Sequence, residues 1–359
     1  MSINRIRMRP KNSHSTLISL EFIPCGAEQA DAMLLPMNWI NQLNAFGRVA
    51  TPCLFVLDFE LKKPLVLPLN AVNGEAIRFN FRGMTNSTAG SASYPIPVHF
   101  NATPPDFQKY RKAFDLVMAA LQYGNSYLLN LTFPTRLETN LDLSEIFNRS
   151  KAPYRLWLKD RCVVFSPECF VRIENDEIAT FPMKGTIDAD LPDAAQQLLE
   201  NRKELAEHYT IVDLLRNDLS QIAEDVRVER FRYIERVSTI RKPLLQTSSE
   251  IRGKLPENWQ ENLGTMLSRL LPAGSISGAP KEKTVEIIQQ TEGEPRGYYT
   301  GVCGVFDGTN LDSAIMIRFI EKRADGLWFR SGGGITVNSV LEDEYRELVD
   351  KVYLPFKGV

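Results

Sequence analysis

Two pairs of glutamates are the residues of this sequence best suited to metal chemistry. Glu204 and Glu207 are three residues apart in a stretch with helical periodicity, and Glu344 and Glu347 repeat that spacing near the end of the chain. Residues three or four apart share one face of a helix, so each pair presents two carboxylates together. Either pair alone is typical of a solvated helix face. Two pairs that converge on one site would supply the oxygen ligands preferred by Mg²⁺ or Mn²⁺.

Lys184 is the candidate for nucleophilic chemistry. It interrupts an apolar run and is followed at once by Gly185 and Thr186. A lysine at the end of a strand is often an exposed side chain whose stem covers apolar surface. The alternative is a reactive amine, because burial or a neighbouring cation lowers the pKa of a lysine and makes it nucleophilic. The sequence leaves both interpretations open.

Two glycine-rich segments are candidates for anion binding. PAGSISGAPK, residues 272–281, runs into a predicted helix, and SGGGI, residues 331–335, predicts a sharp turn before the last helix. Neither matches a P-loop or a dinucleotide-binding fingerprint. Both allow backbone N–H groups to approach an anion closely, although tight turns alone would also explain the glycines.

The composition is that of a soluble globular protein and argues against several classes. The 359 residues are enough for two cores or one large composite core. A formal net charge of -2 argues against nucleic-acid binding, and no apolar run approaches the ~18 residues of a membrane span. The first residues are basic but lack the apolar segment of a secretory signal. Five scattered cysteines without a CxxC motif indicate reduced thiols, so we expect a cytoplasmic protein.

The elements that must position these residues change in character along the chain. We expect a short strand-rich part at residues 1–100, with strands at 16–22, 53–59 and 65–69, and a larger domain at residues 101–359. That domain begins with a helix that ends at Gly124. A hairpin and two further strands then form a predicted β-meander that presents Glu168 and Lys184 at the ends of elements. One long helix beginning near Pro192 carries Glu204 and Glu207.

Taken together, the motifs resemble the chorismate-utilising enzymes, a family that includes anthranilate, isochorismate, salicylate and aminodeoxychorismate synthases. The matching segments occur in the order of that family over roughly residues 105–356. They are PMKGT (182–186), ELAEH (204–208), IVDLLRNDL (211–219), PAGSISGAPK (272–281), IRF (317–319), SGGGI (331–335) and EYRELVDK (344–351). The resemblance implies an α+β (composite α/β) fold in which two large antiparallel sheets pack face to face with helices outside.

The resemblance also implies Mg²⁺ as cofactor and chorismate as substrate. Glu207 and Glu347 would bind the metal, while Glu204 and Glu344 would hold its water ligands. Ser275 and the amides of the triple glycine would bind the ring carboxylate of chorismate, and an arginine, a tyrosine and a lysine its enolpyruvyl carboxylate. The implied substrate-binding residues are Thr186, Ser275, Tyr299, Arg318, Gly332, Gly333, Gly334 and Lys351.

Lysine at position 184 resembles the aminodeoxychorismate branch, since anthranilate and isochorismate synthases have alanine there. This branch implies amination of chorismate at C4, with Lys184 as the nucleophile and Glu168 as the general acid for the departing hydroxyl. Ammonia would come from a glutamine amidotransferase partner, and a separate lyase would convert the product to para-aminobenzoate for folate. We expect no nucleic-acid or membrane partner.

Two positions depart from the family pattern. Leu128 stands where the isochorismate branch has its water-activating lysine, which argues against that chemistry. Gln246 stands where relatives that release pyruvate often have a histidine, which fits an enzyme that keeps the enolpyruvyl group. The alternatives are an anthranilate synthase component I with an unusual lysine, and a non-catalytic subunit that only binds a partner.

Overall fold

Two nine-stranded antiparallel sheets form the frame of the protein. The computed structural model describes residues 38–87, 97–238 and 243–356, so the strand expected at 16–22 lies outside the described residues. The strands are β1 (Cys53–Leu57), β2 (Leu65–Pro68), β3 (Ile77–Phe81), β4 (Met84–Thr85), β5 (Phe100–Thr103), β6 (Leu128–Thr139), β7 (Tyr154–Leu158), β8 (Cys162–Ser166), β9 (Cys169–Glu174), β10 (Glu177–Thr180), β11 (Met183–Asp188), β12 (Glu224–Ser238), β13 (Pro243–Lys254), β14 (Gly278–Ala279), β15 (Val302–Phe306), β16 (Leu311–Ile315), β17 (Phe319–Arg323) and β18 (Gly326–Ile335).

The strand order defines the two sheets. Sheet A runs β11-β13-β10-β9-β16-β15-β1-β2, with β12 also paired to β13. Sheet B runs β14-β6-β18-β17-β8-β7-β3-β4, with β5 also paired to β6. The helices are α1 (Trp39–Arg48), α2 (Phe107–Gln122), α3 (Leu143–Arg149), α4 (Ala194–Glu200), α5 (Arg202–Ser220), α6 (Leu263–Leu270), α7 (Gly274–Ser277), α8 (Lys281–Glu292) and α9 (Leu341–Asp350).

Alternating side chains of the strands build a core between the sheets and further cores beneath the helices. Strand β1 is buried along its whole length: Leu54 and Val56 join side chains of sheet B, whereas Phe55 joins the cluster under the helices. On β7, Leu156 faces sheet A and Trp157 packs on the opposite side with α3. This two-residue alternation is what a strand buried on both faces requires. The predicted fold class, two large antiparallel sheets face to face with helices outside, is confirmed.

Strands from both sides of residue 100 take part in these sheets. β1 and β2 form one end of sheet A, and β3 and β4 form one end of sheet B. The boundary expected near residue 100 is therefore not marked by a change of sheet. No helix within the described ranges is long and apolar enough to cross a membrane.

The predicted hairpin of β7 and β8 is confirmed, with Leu158 opposite Cys162. The meander expected to continue from it is wrong, because β8 belongs to sheet B and β9 to sheet A. The chain crosses between the sheets at residues 167–168, which places Glu168 between them. A hydrophobic pattern of period two identifies strands but does not identify the sheet that each one joins.

Two further expectations about local structure need correction. The single helix predicted after Pro192 is two helices, because the side chain of Asn201 accepts a hydrogen bond from the backbone N–H of Glu204 and starts α5. The turn predicted at SGGGI is instead the end of strand β18, paired with β6. A Cβ atom on Gly332 would lie 2.4 Å from the carbonyl oxygen of Leu131, so close strand packing, and not a turn, requires glycine there.

Candidate active site

The two carboxylate pairs lie near the start of α5 and on α9, and both act on the amine of Lys184. Glu207, Glu347 and Glu204 all favour the charged form of this amine. Gly333 borders the second pair, since a Cβ atom there would lie 3.3 Å from Glu344 Oε2. The structure thus brings together the carboxylates and the lysine that the sequence placed far apart in the chain.

Lys184 forms an ion pair with one of the expected metal ligands. Its Nζ lies 2.6 Å from Glu207 Oε2, and both side chains are largely buried. Burial alone would lower the pKa of Lys184, but the carboxylates of Glu207, Glu347 and Glu204 together outweigh burial and the pKa is raised. The sequence-based alternatives were an exposed lysine and an amine of lowered pKa. The structure shows a third state, a largely buried lysine held in its charged form.

Lys351 is paired with the other expected metal ligand in the same way. Its Nζ lies 2.6 Å from Glu347 Oε1 and donates a hydrogen bond to the carbonyl oxygen of Gly332 at 2.7 Å. Burial lowers the pKa of Lys351. Burial alone would raise the pKa of Glu347, but the amine of Lys351 lowers it. Each expected metal ligand is therefore neutralised by its own lysine.

The other two glutamates differ in their surroundings. Glu344 Oε1 accepts a hydrogen bond from Ser339 Oγ at 2.7 Å. Burial raises the pKa of Glu344, and burial together with the nearby Glu207 raises the pKa of Glu204. Carboxylates held close together without a cation between them repel one another, and this repulsion favours protonation.

The donor set fits a hard divalent cation, although the side chains are not gathered around one point. Carboxylate oxygens are the ligands that Mg²⁺ prefers, and Gly333 leaves room beside Glu344 and Glu347 that a side chain would fill. Within the described part of the chain, no three His, Cys, Asp or Glu side chains are close enough together to hold a metal ion as they stand. Glu207 and Glu347 each form an ion pair with a lysine amine.

Glu168 lies at the crossover between the sheets and is bound by the short helix α7, which begins within the PAGSISGAPK segment. Ser275 Oγ, on α7, donates a hydrogen bond to Glu168 Oε1 at 2.7 Å. Burial raises the pKa of Glu168, and the opposing effects of Ser275 and of nearby cations do not cancel it. A carboxyl group with a raised pKa keeps its proton more readily, as a general acid must.

Arg318 acts electrostatically on both Glu168 and the buried Tyr299. It lies between β16 and β17 with a φ of 52° and donates from Nε to the hydroxyl of Tyr353 at 3.3 Å. Its charge acts on Glu168 and also on Tyr299, whose pKa is raised to about 12, mainly by burial. Together with Lys351, these residues form a cationic end of the site, suited to a carboxylate.

Thr186 and the two departures from the family pattern lie on strands β11, β6 and β13. Gly185, with a φ of 81°, forms a bulge in β11, beyond which the exposed Thr186 lies opposite Gln246 on β13. Leu128 begins β6, and its Cδ1 lies 3.1 Å from the position of a Cβ atom on Gly334. The triple glycine thus runs beside a leucine.

The sequence did not single out the residues that join α5 to α7. Asp218, near the end of α5, lies 2.9 Å from Lys281 Nζ and accepts a hydrogen bond from the backbone N–H of Gly274. A Cβ atom on Gly274 would lie only 2.7 Å from Asp218 Oδ2. Asp218 lies in the IVDLLRNDL motif, and Gly274 and Lys281 lie in the PAGSISGAPK motif. No spacing rule predicts contacts between residues of different motifs. Asp218 therefore positions the helix that carries Ser275.

A buried ion pair supports the same helix from its other side. Arg296 lies 2.6 Å from Glu292, and both side chains are at most 2% exposed. Arg296 also donates hydrogen bonds to the carbonyl oxygens of Ile276 on α7 and Asn130 on β6. Two separate polar contacts thus fix α7, and with it the hydroxyl that binds Glu168.

The sequence profile described as "chorismate binding enzyme" matches residues 79–356. The chain belongs to the chorismate-binding enzyme family.

The relatives of this chain within that family have different names. An uncharacterized PabA-like protein of Haemophilus influenzae is 55% identical over 321 residues, which cover 89% of this chain and 97% of the relative. Aminodeoxychorismate synthase component 1 of Salmonella typhimurium is 32% identical, with 68% of this chain and 56% of the relative covered. The crystal structure of anthranilate synthase component I from Streptococcus pneumoniae superposes with a TM-score of 0.60 at 25% identity, over 71% of this chain and 59% of that one. The branch within the family therefore has to be argued from the site.

Proposed function

We propose that this protein is an aminodeoxychorismate synthase, which aminates chorismate at C4 to give 4-amino-4-deoxychorismate. The observation that carries the proposal is the position of Lys184, whose amine lies among the carboxylates of α5 and α9. A lysine there supplies a nucleophile inside the site. Position 128 is a leucine, whereas isochorismate chemistry would require a lysine there to activate water.

Lys184 and Glu168 divide the proposed reaction between them. The Lys184 amine attacks C2 of the chorismate ring, both ring double bonds shift, and the C4 hydroxyl leaves as water with a proton from Glu168. Ammonia then attacks C4, both double bonds shift back, and the lysine is expelled from C2. The sum is chorismate plus ammonia giving 4-amino-4-deoxychorismate plus water. The amine must be neutral to attack, so its ion pair with Glu207 has to open first.

The remaining residues bind and orient the substrate. Arg318, Tyr299 and Lys351 would hold the enolpyruvyl carboxylate, for which a guanidinium fork is well suited. Ser275 and the backbone of Gly332–Gly334 would receive the ring carboxylate, and Thr186 would be a further substrate contact. Glu207 and Glu347 would hold Mg²⁺, with Glu204 and Glu344 around it, and the bound ion would act as a Lewis acid and template for the ring carboxylate. We propose a glutamine amidotransferase subunit as the source of ammonia.

A product assay tests the proposal. The protein is incubated with chorismate, Mg²⁺ and ammonium, and the products are separated before and after addition of aminodeoxychorismate lyase. We expect para-aminobenzoate only after the lyase is added. Anthranilate with free pyruvate, formed without the lyase, would overturn the proposal.

A variant of the lysine tests the mechanism separately. In Lys184→Ala we expect turnover to fall by at least about 100-fold, because nucleophilic catalysis is lost, while Mg²⁺-dependent chorismate binding persists in calorimetry. Unchanged turnover would show that ammonia attacks without a covalent intermediate. Absence of Mg²⁺-dependent chorismate binding by the unaltered protein would favour a non-catalytic, partner-binding subunit.

A further inference from the structure

The side chain that contacts Arg318 most closely lies beyond the last of the family motifs, EYRELVDK (344–351). Tyr353 follows α9, and its hydroxyl accepts the hydrogen bond from Arg318 Nε at 3.3 Å. The guanidinium carbon of Arg318 also lies 5.5 Å from the centre of the Tyr353 ring, within the range of a cation–π contact. Tyr353 thus contacts Arg318 with both its polar and its aromatic parts.

Tyr353 is itself held in place by the segment that follows α9. Its neighbours Val352 and Phe356 are buried in the core beneath α3. Between them, the carbonyl oxygen of Pro355 accepts a hydrogen bond from the backbone N–H of Lys151 at 2.9 Å. Because the segment is fixed on both sides of Tyr353, the position of the tyrosine ring is fixed as well.

The side chain of Arg318 relies on this contact for its orientation. Arg318 lies in the short connection between β16 and β17, with a φ of 52° in the left-handed region that non-glycine residues rarely adopt. In the part of the chain that the structure describes, its guanidinium makes one hydrogen bond, from Nε to Tyr353. An arginine without this bond would have to be ordered by the substrate itself, at a cost of roughly two- to tenfold in affinity.

The bond to Tyr353 also determines which edge of the guanidinium is left to receive a carboxylate. Arginine binds a carboxylate with two parallel N–H···O bonds, either from Nε and one terminal nitrogen or from the two terminal nitrogens. Tyr353 occupies Nε, so the edge formed by Nη1 and Nη2 remains. The charge of Arg318 lowers the pKa of Glu168 and of Lys351, so the guanidinium lies close to both residues of the candidate site.

We propose that Tyr353 is a positioning residue for the substrate, which holds Arg318 so that its two terminal amino groups meet the enolpyruvyl carboxylate end-on. The inference rests on the proposed function for the identity of the ligand, chorismate, and it does not depend on which ring carbon is aminated. The enolpyruvyl carboxylate takes no part in the bonds that change, so Arg318 binds it equally in the ground state and in the transition state. Loss of the tyrosine hydroxyl should therefore raise KM and leave kcat nearly unchanged.

A double-mutant cycle measured by calorimetry tests this role. Chorismate is titrated with Mg²⁺, in buffer free of ammonia, into the unaltered protein, Tyr353→Phe, Arg318→Gln and the double variant. We expect Tyr353→Phe to bind about fivefold more weakly, whereas in the Arg318→Gln background the same change should alter the affinity by less than about twofold. An equal loss in both backgrounds would show a merely structural role and would overturn the inference. If Arg318→Gln binds too weakly to measure, the split between KM and kcat in Tyr353→Phe decides.

A second tyrosine stacked on an arginine supplies the matched control. The ring of Tyr233 lies 3.7 Å from the guanidinium of Arg230, and its charged neighbours are not residues of the candidate site. Tyr233→Phe should bind chorismate like the unaltered protein. Tyr353 is half-buried and its substitution removes one oxygen, so the variant should fold, as checked by circular dichroism.

The outcomes separate this inference from the proposed function. Unchanged chorismate affinity in Tyr353→Phe, or a fall in kcat at unchanged KM, would overturn the inference and leave the proposed function standing. Absence of chorismate binding by the unaltered protein would overturn both. Formation of anthranilate in the product assay would overturn the proposed function alone, because the enolpyruvyl carboxylate has to be bound in either reaction.

Discussion

Removing the amine of Lys184 should strengthen the binding of Mg²⁺ to the substrate-free protein while abolishing turnover. The amine lies 2.6 Å from Glu207, an expected metal ligand, so the ion and the lysine compete for one carboxylate. In Lys184→Met the carboxylate has no such partner, and the metal does not have to displace one. A general loss of structure would weaken Mg²⁺ binding as well as turnover, so it would not explain tighter Mg²⁺ binding together with lost turnover.

The burial of the pair sets the size of the effect. The side chains are 33% and 17% exposed, between an exposed ion pair, worth about 0–1 kcal/mol, and a buried one, whose disruption costs about 3–5 kcal/mol. A value of about 1–2 kcal/mol corresponds to a ~5- to 30-fold gain in Mg²⁺ affinity.

Calorimetric titration with Mg²⁺ at constant ionic strength, without chorismate, measures this gain. Lys203→Met is the matched control, because Lys203 lies on the same helix, 3.9 Å from Glu207, and is 60% exposed. A change of less than about twofold is expected there. Equal or weaker Mg²⁺ binding by Lys184→Met, or an equal gain in both variants, would refute the competition.

Three further variants test other parts of the structure. Gly333→Ala places a methyl group 3.3 Å from Glu344 Oε2 and 3.5 Å from Glu347 Oε1. The affinity for Mg²⁺, measured by calorimetry, should therefore fall about tenfold. Gly74→Ala is the control, because its Cβ atom would meet nothing closer than 3.8 Å, and it should bind Mg²⁺ normally. Burial lowers the pKa of His208 to about 4 from the usual value of about 6.5. The unfolded chain therefore binds the extra proton first, and stability should fall as the pH drops from about 6.5 to 4. His208→Gln should flatten that part of the stability profile in denaturant titrations, and an unchanged slope would contradict the assignment. Arg296→Met leaves Glu292 charged and buried and should lower the free energy of unfolding by about 3–5 kcal/mol. The double variant Arg296→Met/Glu292→Gln should recover part of that loss. A loss below about 1 kcal/mol in Arg296→Met would show that the pair is not essential to the fold.

The sequence predicts the strands, most helices and the residues of the candidate site. It predicts less well how these elements and residues are arranged relative to one another. Glu204, Glu207, Glu344 and Glu347 are recognisable from local spacing, because a helix turns by a fixed angle for each residue. The break at Asn201 depends on one side-chain cap, and the same residue type occurs in many loops and helix interiors.

Several contacts that hold the site together come from positions distant in the chain. The pair of Lys351 with Glu347 follows the i,i+4 spacing of one helix and can be predicted from the sequence. The pair of Lys184 with Glu207 joins a strand to a helix, and no pattern in the sequence predicts it. Likewise, Glu168 lies between the sheets because β8 and β9 join different sheets. Topology, and not local propensity, determines that position.

The position of nitrogen in the product tests the central claim most directly. Chorismate, Mg²⁺ and ¹⁵N-labelled ammonium are incubated with the protein, and the product is examined by NMR without a lyase. The proposed reaction places ¹⁵N on C4 of a ring that still carries its enolpyruvyl ether. A product with ¹⁵N on C2, accompanied by free pyruvate, would contradict the assignment of Lys184 as the residue that directs amination to C4.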